Sequence, residues 1–171
     1  MEKVLNTFAK RTQSVRENEL ELLLFRLNAT QIFGIDTQKV REVVRQPLFR
    51  ALRTPHRCIN VEASIRGTSI SAIDLRGLMG YRDVIGEHEN NMIITEYNGS
   101  VQGFKVGEFL SVAEISRQDI SSISKVVHSD KYLTGISTIM NVERMGRIDP
   151  VFIIDLEIIL AELVDYETLT C

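Results

Sequence analysis

The chain is sparing with the residues that carry covalent and metal chemistry. Its two cysteines, Cys58 and Cys171, lie far apart in 171 residues, which is neither a disulfide framework nor a metal-ligand spacing. So few thiols fit a reducing, cytoplasmic setting. The three histidines, His56, His88 and His128, are isolated, and none has a second ligand at helical or hairpin spacing, which speaks against a metal site. There is no phosphate-cradling loop: Gly77-Leu78-Met79-Gly80 lacks the lysine and the strand-to-helix frame that a nucleotide loop requires. Carboxylates are numerous but scattered, with no pair placed for acid/base work. No apolar run approaches membrane-spanning length, and Glu2 and Lys3 are not followed by the apolar core of a secretory signal. The expectation is a soluble cytosolic protein without catalytic, metal or cofactor residues, which binds partners. One alternative comes from a different class, a small β-barrel thiol enzyme using Cys58 beside His56, although nothing identifies a third group to orient the pair.

Charge narrows the partners. Twenty basic and 23 acidic residues give a net charge of −3, so the molecule as a whole does not attract nucleic acid or an anionic bilayer. Residues 41–57 are the exception, made locally positive by Arg41, Arg45, Arg50, Arg53, His56 and Arg57. With Phe49 as the one interleaved aromatic, that stretch reads as a solvated loop or as the docking edge for an acidic partner rather than as a nucleic-acid site.

What is present is β-pattern. The length allows one well-buried domain or two small subdomains sharing a core. Val4, Leu5 and Phe8 suggest a short amphipathic helix within 2–14, followed by a polar connector. Leu20 to Leu27 reads as a strand, Asn28-Ala29-Thr30 as a turn and Gln31 to Ile35 as the returning strand. Asp36 or Thr37 then suits the cap of a helix over Lys39 to Val44, with Val40, Val43 and Val44 on one side. Pro47 and Pro55 bound a loop from 45 to about 58. Strands at 59–66 and 68–74, a helix from Asp74 to Met79 and a glycine-rich connection follow. Further strands run from Asn91 to Glu96 and from Ser100 to Phe109 about an Asn98-Gly99 turn, the strongest hairpin signal in the chain. A polar passage at 111–124 leads to strands at Lys125 to His128, Leu133 to Met140 and Arg147 to Ile154, the last two turning at Arg144-Met145-Gly146. Leu156 to Leu163 closes the chain as a helix.

Two features stand out. Ser64 to Arg76 alternates apolar and polar residues on both sides of Arg66-Gly67, so Gly67 marks a turn or bulge and Arg66 is left needing a role. Ile70 to Leu75 is echoed by Val151 to Leu156. Each is a strand entering a helix through Asp-Leu, and Asp74 and Asp155 are suited to cap those helices. Two β-rich halves, each closed by a helix, suggest a duplicated small barrel.

In order, LELLLFRLNATQIFGIDTQKVREVV at 20–44, the Ile-Arg-Gly run ending in Ile-Asp-Leu-Arg, and Tyr132-Leu133-Thr134-Gly135 with 149–163 resemble the CheW-like coupling domain of bacterial chemotaxis. The Arg11-Thr12-Gln13 lead-in is similar to the start of CheV-type proteins, in which such a domain precedes a phosphoacceptor receiver. The resemblance implies a mainly β fold of two intertwined five-stranded, SH3-like barrels with short helices, a C-terminal helix and a hydrophobic core between the barrels. It divides the chain into an N-terminal helix and connector at 1–18, the CheW-like domain at 19–166 and a tail at 167–171. It implies a non-catalytic adaptor, without cofactor, linking the cytoplasmic tips of methyl-accepting chemoreceptors to the regulatory domain of the histidine kinase CheA. Such an adaptor sits at receptor arrays on the inner face of the membrane, without inserting. By position, Val40 and Glu42 match the family's receptor-contact segment, and Arg66 and Gly67 its Leu-Arg-Gly motif near the interfaces. Arg66 then either touches a partner or ties barrel loops together; Asp74 matches the Ile-Asp-Leu aspartate and reads as a cap. The chain departs from the family pattern at Val61 to Ser64, at Ala72, and at Gly107, where an aspartate is frequent. It is expected to be either a stand-alone coupling protein or the coupling part of a CheV-type protein.

Overall fold

A computed structural model describes residues 18–54, 59–81, 90–97, 99–123, 131–141 and 146–169. The helix expected at 2–14, the strand at Lys125 to His128, residues Arg144-Met145 and Asn98 of the two turns, all three histidines and both cysteines lie outside the described residues.

Eleven strands and two helices make up the described chain: β1 (Glu19–Arg26), β2 (Ile32–Asp36), β3 (Val40–Val44), β4 (Phe49–Ala51), β5 (Ile59–Ile65), β6 (Thr68–Asp74), α1 (Leu75–Leu78), β7 (Asn91–Tyr97), β8 (Ser100–Val106), β9 (Phe109–Ser116), β10 (Leu133–Asn141), β11 (Arg147–Ile154) and α2 (Leu156–Leu169). They form a five-stranded sheet in the order β10-β11-β2-β1-β9 and a six-stranded sheet in the order β3-β7-β8-β6-β5-β4. The first two strands therefore belong to the sheet completed by the last three, and the chain interlaces the two units. This is the expected pair of intertwined SH3-like barrels, with the short β4 as an added edge strand.

The run Leu20 to Leu27 is apolar nearly throughout because β1 is covered on both faces. Leu20, Leu22 and Leu24 enter a core with Ile32, Ile115, Val151 and Ile153 inside the five-stranded unit. Leu23, Phe25 and Leu27 point the other way, into a larger core with Phe33, Ile73, Leu75, Ile93 and Phe104. That core joins the two sheets. Phe33 sits between Phe25 at 6.4 Å and Phe152 at 5.6 Å between ring centroids, and each fully buried ring of this kind contributes roughly 1.5–3 kcal/mol. A third, smaller core of Ala63, Ala72, Met92 and Ile94 fills the six-stranded unit.

The echoed Asp-Leu strands are equivalent in three dimensions. β6 and β11 each pair in parallel, β6 with β8 at Ala72↔Gly103 and β11 with β2 at Ile153↔Gly34. Each leads into its helix through an aspartate. Asp74 Oδ1 accepts from the amides of Arg76 and Gly77 at 3.0 and 3.4 Å. Asp155 Oδ1 accepts from those of Glu157 and Ile158 at 3.0 and 3.3 Å.

Four expectations differ from the structure. Asp36 does cap a turn, its carboxylate accepting from the amide of Gln38 at 2.9 Å, but the turn is a single 3-10 turn at Thr37–Lys39. The helix expected over Lys39 to Val44 is the strand β3. Its three valines are β-branched and gain more from pairing with β7 than from a helix. The loop expected at 45–58 contains β4, paired with β5. The strand expected to run to Phe109 stops at Val106, and the passage expected to be polar from 111 is β9, which pairs with β1. Between β8 and β9 the backbone crosses from one sheet to the other. Gly107 N donates to Arg26 O and Arg26 N to Glu108 O, both at 2.9 Å. A Cβ at 107 would overlap Arg26 O, which explains the glycine at this crossing.

Candidate functional site

β5 and β6 are joined by a two-residue turn with Ile65 opposite Thr68. Arg66 and Gly67 occupy it with φ of 51° and 81°, the left-handed pair of a type I′ hairpin turn. Gly67 adopts this conformation freely, whereas Arg66 does so against its side chain's preference. The turn lifts the Arg66 guanidinium away from the sheet, and its side chain is 80% exposed.

From there Nη2 reaches Glu42 Oε1 of β3 at 2.5 Å, a carboxylate whose side chain is 27% exposed. In the sheet order β3 is separated from β6 by β7 and β8. The ion pair therefore spans the mouth of a sheet that curls round to bring its first strand opposite the β5–β6 turn. Arg66 and Glu42, singled out separately along the chain, form one charged pair.

Val40 and Gly67 complete the set taken from the sequence. Val40 is 8% exposed and packs with Val43 in the core between the sheets; it lies on a strand, not on the surface of a helix. The register of β3 against β7 shifts between Val40 and Glu42. This bulge turns Arg41 out, where it pairs with Glu96 at 3.1 Å, and lets Glu42 face Arg66 while Val40 and Val43 both stay inside. The Arg41–Glu96 pair had no signal in the sequence, because it depends on that bulge.

Asp74 has a second partner besides its cap. Lys105 Nζ lies 3.3 Å from Oδ2 and 5.6 Å from the centroid of Phe49, so one lysine ties the end of β6 to the edge strand β4. Across the molecule Glu162 of α2 accepts from Lys131 Nζ at 2.6 Å and from Tyr132 OH at 2.8 Å, and the ammonium sits 4.7 Å from the Tyr132 ring centroid. The bond to Glu162 is the main cause that holds the Lys131 ammonium's pKa above its ordinary value, and burial first of all raises that of the Tyr132 phenol. Tyr132 was visible as part of a motif, whereas its acceptor 30 positions away was not.

A cleft of about 290 Å³ lies at the crossing between the sheets, lined by Arg26, Asn28, Arg76, Gly107 and Glu108 among others. It carries charge of both signs and no nucleophile. Among the described residues no group of three or more His, Cys, Asp or Glu could hold a metal ion, and no helix is long and apolar enough to cross a membrane. The Cys58–His56 pair lies outside the described residues.

Comparison with known proteins follows the same geometry. The model of the CheW-like domain family matches residues 21–164. The chemotaxis protein CheV3 of Helicobacter pylori (strain ATCC 700392 / 26695) is 30% identical over 166 residues, covering 90% of this chain and 51% of that protein. The chain thus spans about half the length of this curated relative. The crystal structure of the scaffolding protein TtCheW from Thermoanaerobacter tengcongensis superposes with a TM-score of 0.68 at 22% identity, over 86% of this chain and 91% of that one, a likeness of fold.

Proposed function

The chain belongs to the CheW-like domain family, and from that membership we propose that it is a non-catalytic scaffold of bacterial chemotaxis, coupling chemoreceptors to the histidine kinase CheA. The relatives support this reading by their names, one a chemotaxis protein and the other a scaffolding protein. In this reading the domain works on the cytoplasmic side of receptor arrays, with no cofactor. One partner is the cytoplasmic tip of a methyl-accepting chemoreceptor. The other is the kinase's regulatory domain, docked barrel against barrel.

The observation that carries the proposal is the Glu42–Arg66 pair. Two positions that resemblance alone links to partner contact meet at one place on the surface, and there the guanidinium keeps donors free beyond the single one that reaches Glu42. Val40 takes part from inside, as the buried residue that sets the depth of β3, and Gly67 by permitting the turn that projects Arg66. In this reading Arg66 serves both roles left open for it, holding β3 to the turn through Glu42 and offering its remaining donors to a partner.

Pull-down of the purified chain with a CheA regulatory domain and with a chemoreceptor cytoplasmic fragment tests the reading. Capture of both partners is expected, and capture of neither by the folded chain overturns it.

A further inference from the structure

Arginines with no part in the Glu42–Arg66 pair gather at the far edge of the six-stranded sheet. β4 is the last strand in that sheet, so among the described residues no strand pairs with the other side of its backbone. Its pairing with β5 places Phe49 opposite Ala63, Arg50 opposite Glu62 and Ala51 opposite Val61, and Leu52 N donates to Asn60 O at 2.8 Å. In an antiparallel ladder the hydrogen-bonding direction alternates from residue to residue. Leu52 and Arg50 therefore turn their N–H and C=O toward β5, and Phe49 and Ala51 turn theirs outward.

The side chains along this edge are basic and apolar. Arg50 and Arg53 are exposed, and Leu48 is 74% exposed. The carboxylate opposite Arg50 across the ladder, Glu62, accepts from Ser69 Oγ at 2.8 Å; its charge partly offsets that of Arg50, but it does not hold the guanidinium, which stays exposed. Phe49 faces inward, packed against the small core of this unit and under Lys105, which anchors the strand. The edge is thus held in place, open along its backbone, positive, and furnished with one large unburied apolar side chain.

We propose that the β4 edge, from Leu48 to Arg53, is a docking strand for an extended acidic segment of a partner protein. Such a segment adds a strand beside β4 through the outward groups of Phe49 and Ala51, sets a carboxylate against Arg50, carries further negative charge toward Arg53 beyond the end of the strand, and covers Leu48 before its start. A second copy of this chain is a poor occupant, because pairing two β4 edges brings arginines against arginines. Nucleic acid lacks the strand backbone that the open groups match.

A short fluorescein-labelled peptide of alternating valine and glutamate, followed by fluorescence anisotropy, tests the proposal with the whole chain. Binding is expected that weakens as salt is raised and drops about tenfold or more in the double variant Arg50→Glu, Arg53→Glu. Ala51→Pro removes an outward N–H and no ladder bond, so the fold tolerates it at an edge; it is expected to abolish peptide binding while circular dichroism is unchanged. Leu48→Ser, which touches no core residue, is expected to weaken binding as a second check should Ala51→Pro unfold. The proposal is overturned if the peptide does not bind, if Ala51→Pro binds as well as the native chain, or if a valine-lysine peptide, single-stranded DNA or anionic phosphatidylserine vesicles bind better. The assay contains neither kinase nor receptor, so its failure leaves the coupling function standing, and the converse holds as well.

Discussion

Arg66 and Glu42 stand 24 positions apart in the chain and meet at 2.5 Å, one on a left-handed hairpin turn and the other just past a bulge in β3. Both irregularities aim the charges, since a straight β3 would place Glu42 on the same face as the buried Val40. The local backbone has been shaped around the pair, which makes it a natural place to ask whether the shape serves stability or binding.

Stability should depend on it little. Arg66 is largely exposed, and ion pairs of that kind contribute about 0–1 kcal/mol. Arg66→Ala is therefore expected to shift urea unfolding by less than about 1 kcal/mol, while binding of a receptor fragment falls clearly. The exchanged pair, Glu42→Arg with Arg66→Glu, should restore the surface tie but not the binding, since the charges facing a partner are then reversed. Recovery of binding in the exchanged pair would show that the tie alone matters.

Gly103 makes a prediction about packing inside the six-stranded unit. It lies opposite Ala72 in the parallel pairing of β6 with β8. A Cβ there would overlap Met92 Cε and approach Ser71 O at 3.0 Å and Ala72 Cβ at 3.2 Å. Methionine can yield, but the backbone oxygen cannot. Gly103→Ala is expected to destabilise by about 1–3 kcal/mol, measured as a lower urea midpoint with an unchanged slope.

The paired caps should separate in the same experiment. Asp155→Ala removes a side-chain cap from α2, an effect of about 0.5–2 kcal/mol. Asp74→Ala loses a cap too and leaves the half-buried Lys105 without its carboxylate, so the larger loss is expected there. Asp74→Asn keeps the cap and loses the charge, and its stability should fall between that of Asp74→Ala and that of the native chain.

These features were not equally legible in the sequence. β1, β5, β6, β10 and β11 announced themselves through apolar alternation or long apolar runs, and the caps through Asp-Leu following a strand. β3 was misread because Asp36 is a genuine cap and Val40, Val43 and Val44 fit a helical stripe as well as a bulged strand. Only the partner strand β7, 50 or so positions on by register, decides between them. β9 was passed over because Ser111, Glu114 and Ser116 dilute its pattern, and its contribution is half-buried side chains rather than a continuous run. β4 is three residues among prolines and arginines, too short for any periodicity. At the site, the individual residues Glu42 and Arg66 were legible by resemblance, but their ion pair follows from the curl of the sheet, which no local pattern encodes.

The anchor of α2 gives the molecule a pH dependence at the alkaline end. The Lys131 ammonium, bonded to Glu162, has its pKa raised from 10.5, and the Tyr132 phenol, through burial first, has its own raised from 10.0. For both, the folded chain keeps a proton that the unfolded chain releases as pH rises past those ordinary values. Stability is thus fully present below about pH 10 and falls as pH climbs through the folded-state values. Lys131 is a third exposed, so solvent screening makes its share modest, and Tyr132 should carry more of the slope. Urea unfolding compared at about pH 8 and about pH 10.5 is expected to show this loss in the native chain. Tyr132→Phe should reduce the loss most, and Glu162→Gln should reduce it less, because it removes the shared acceptor but leaves the burial that is the first cause of the Tyr132 shift. An equal alkaline loss in all three proteins would mean that other groups govern it and that this contact fastens α2 by packing alone.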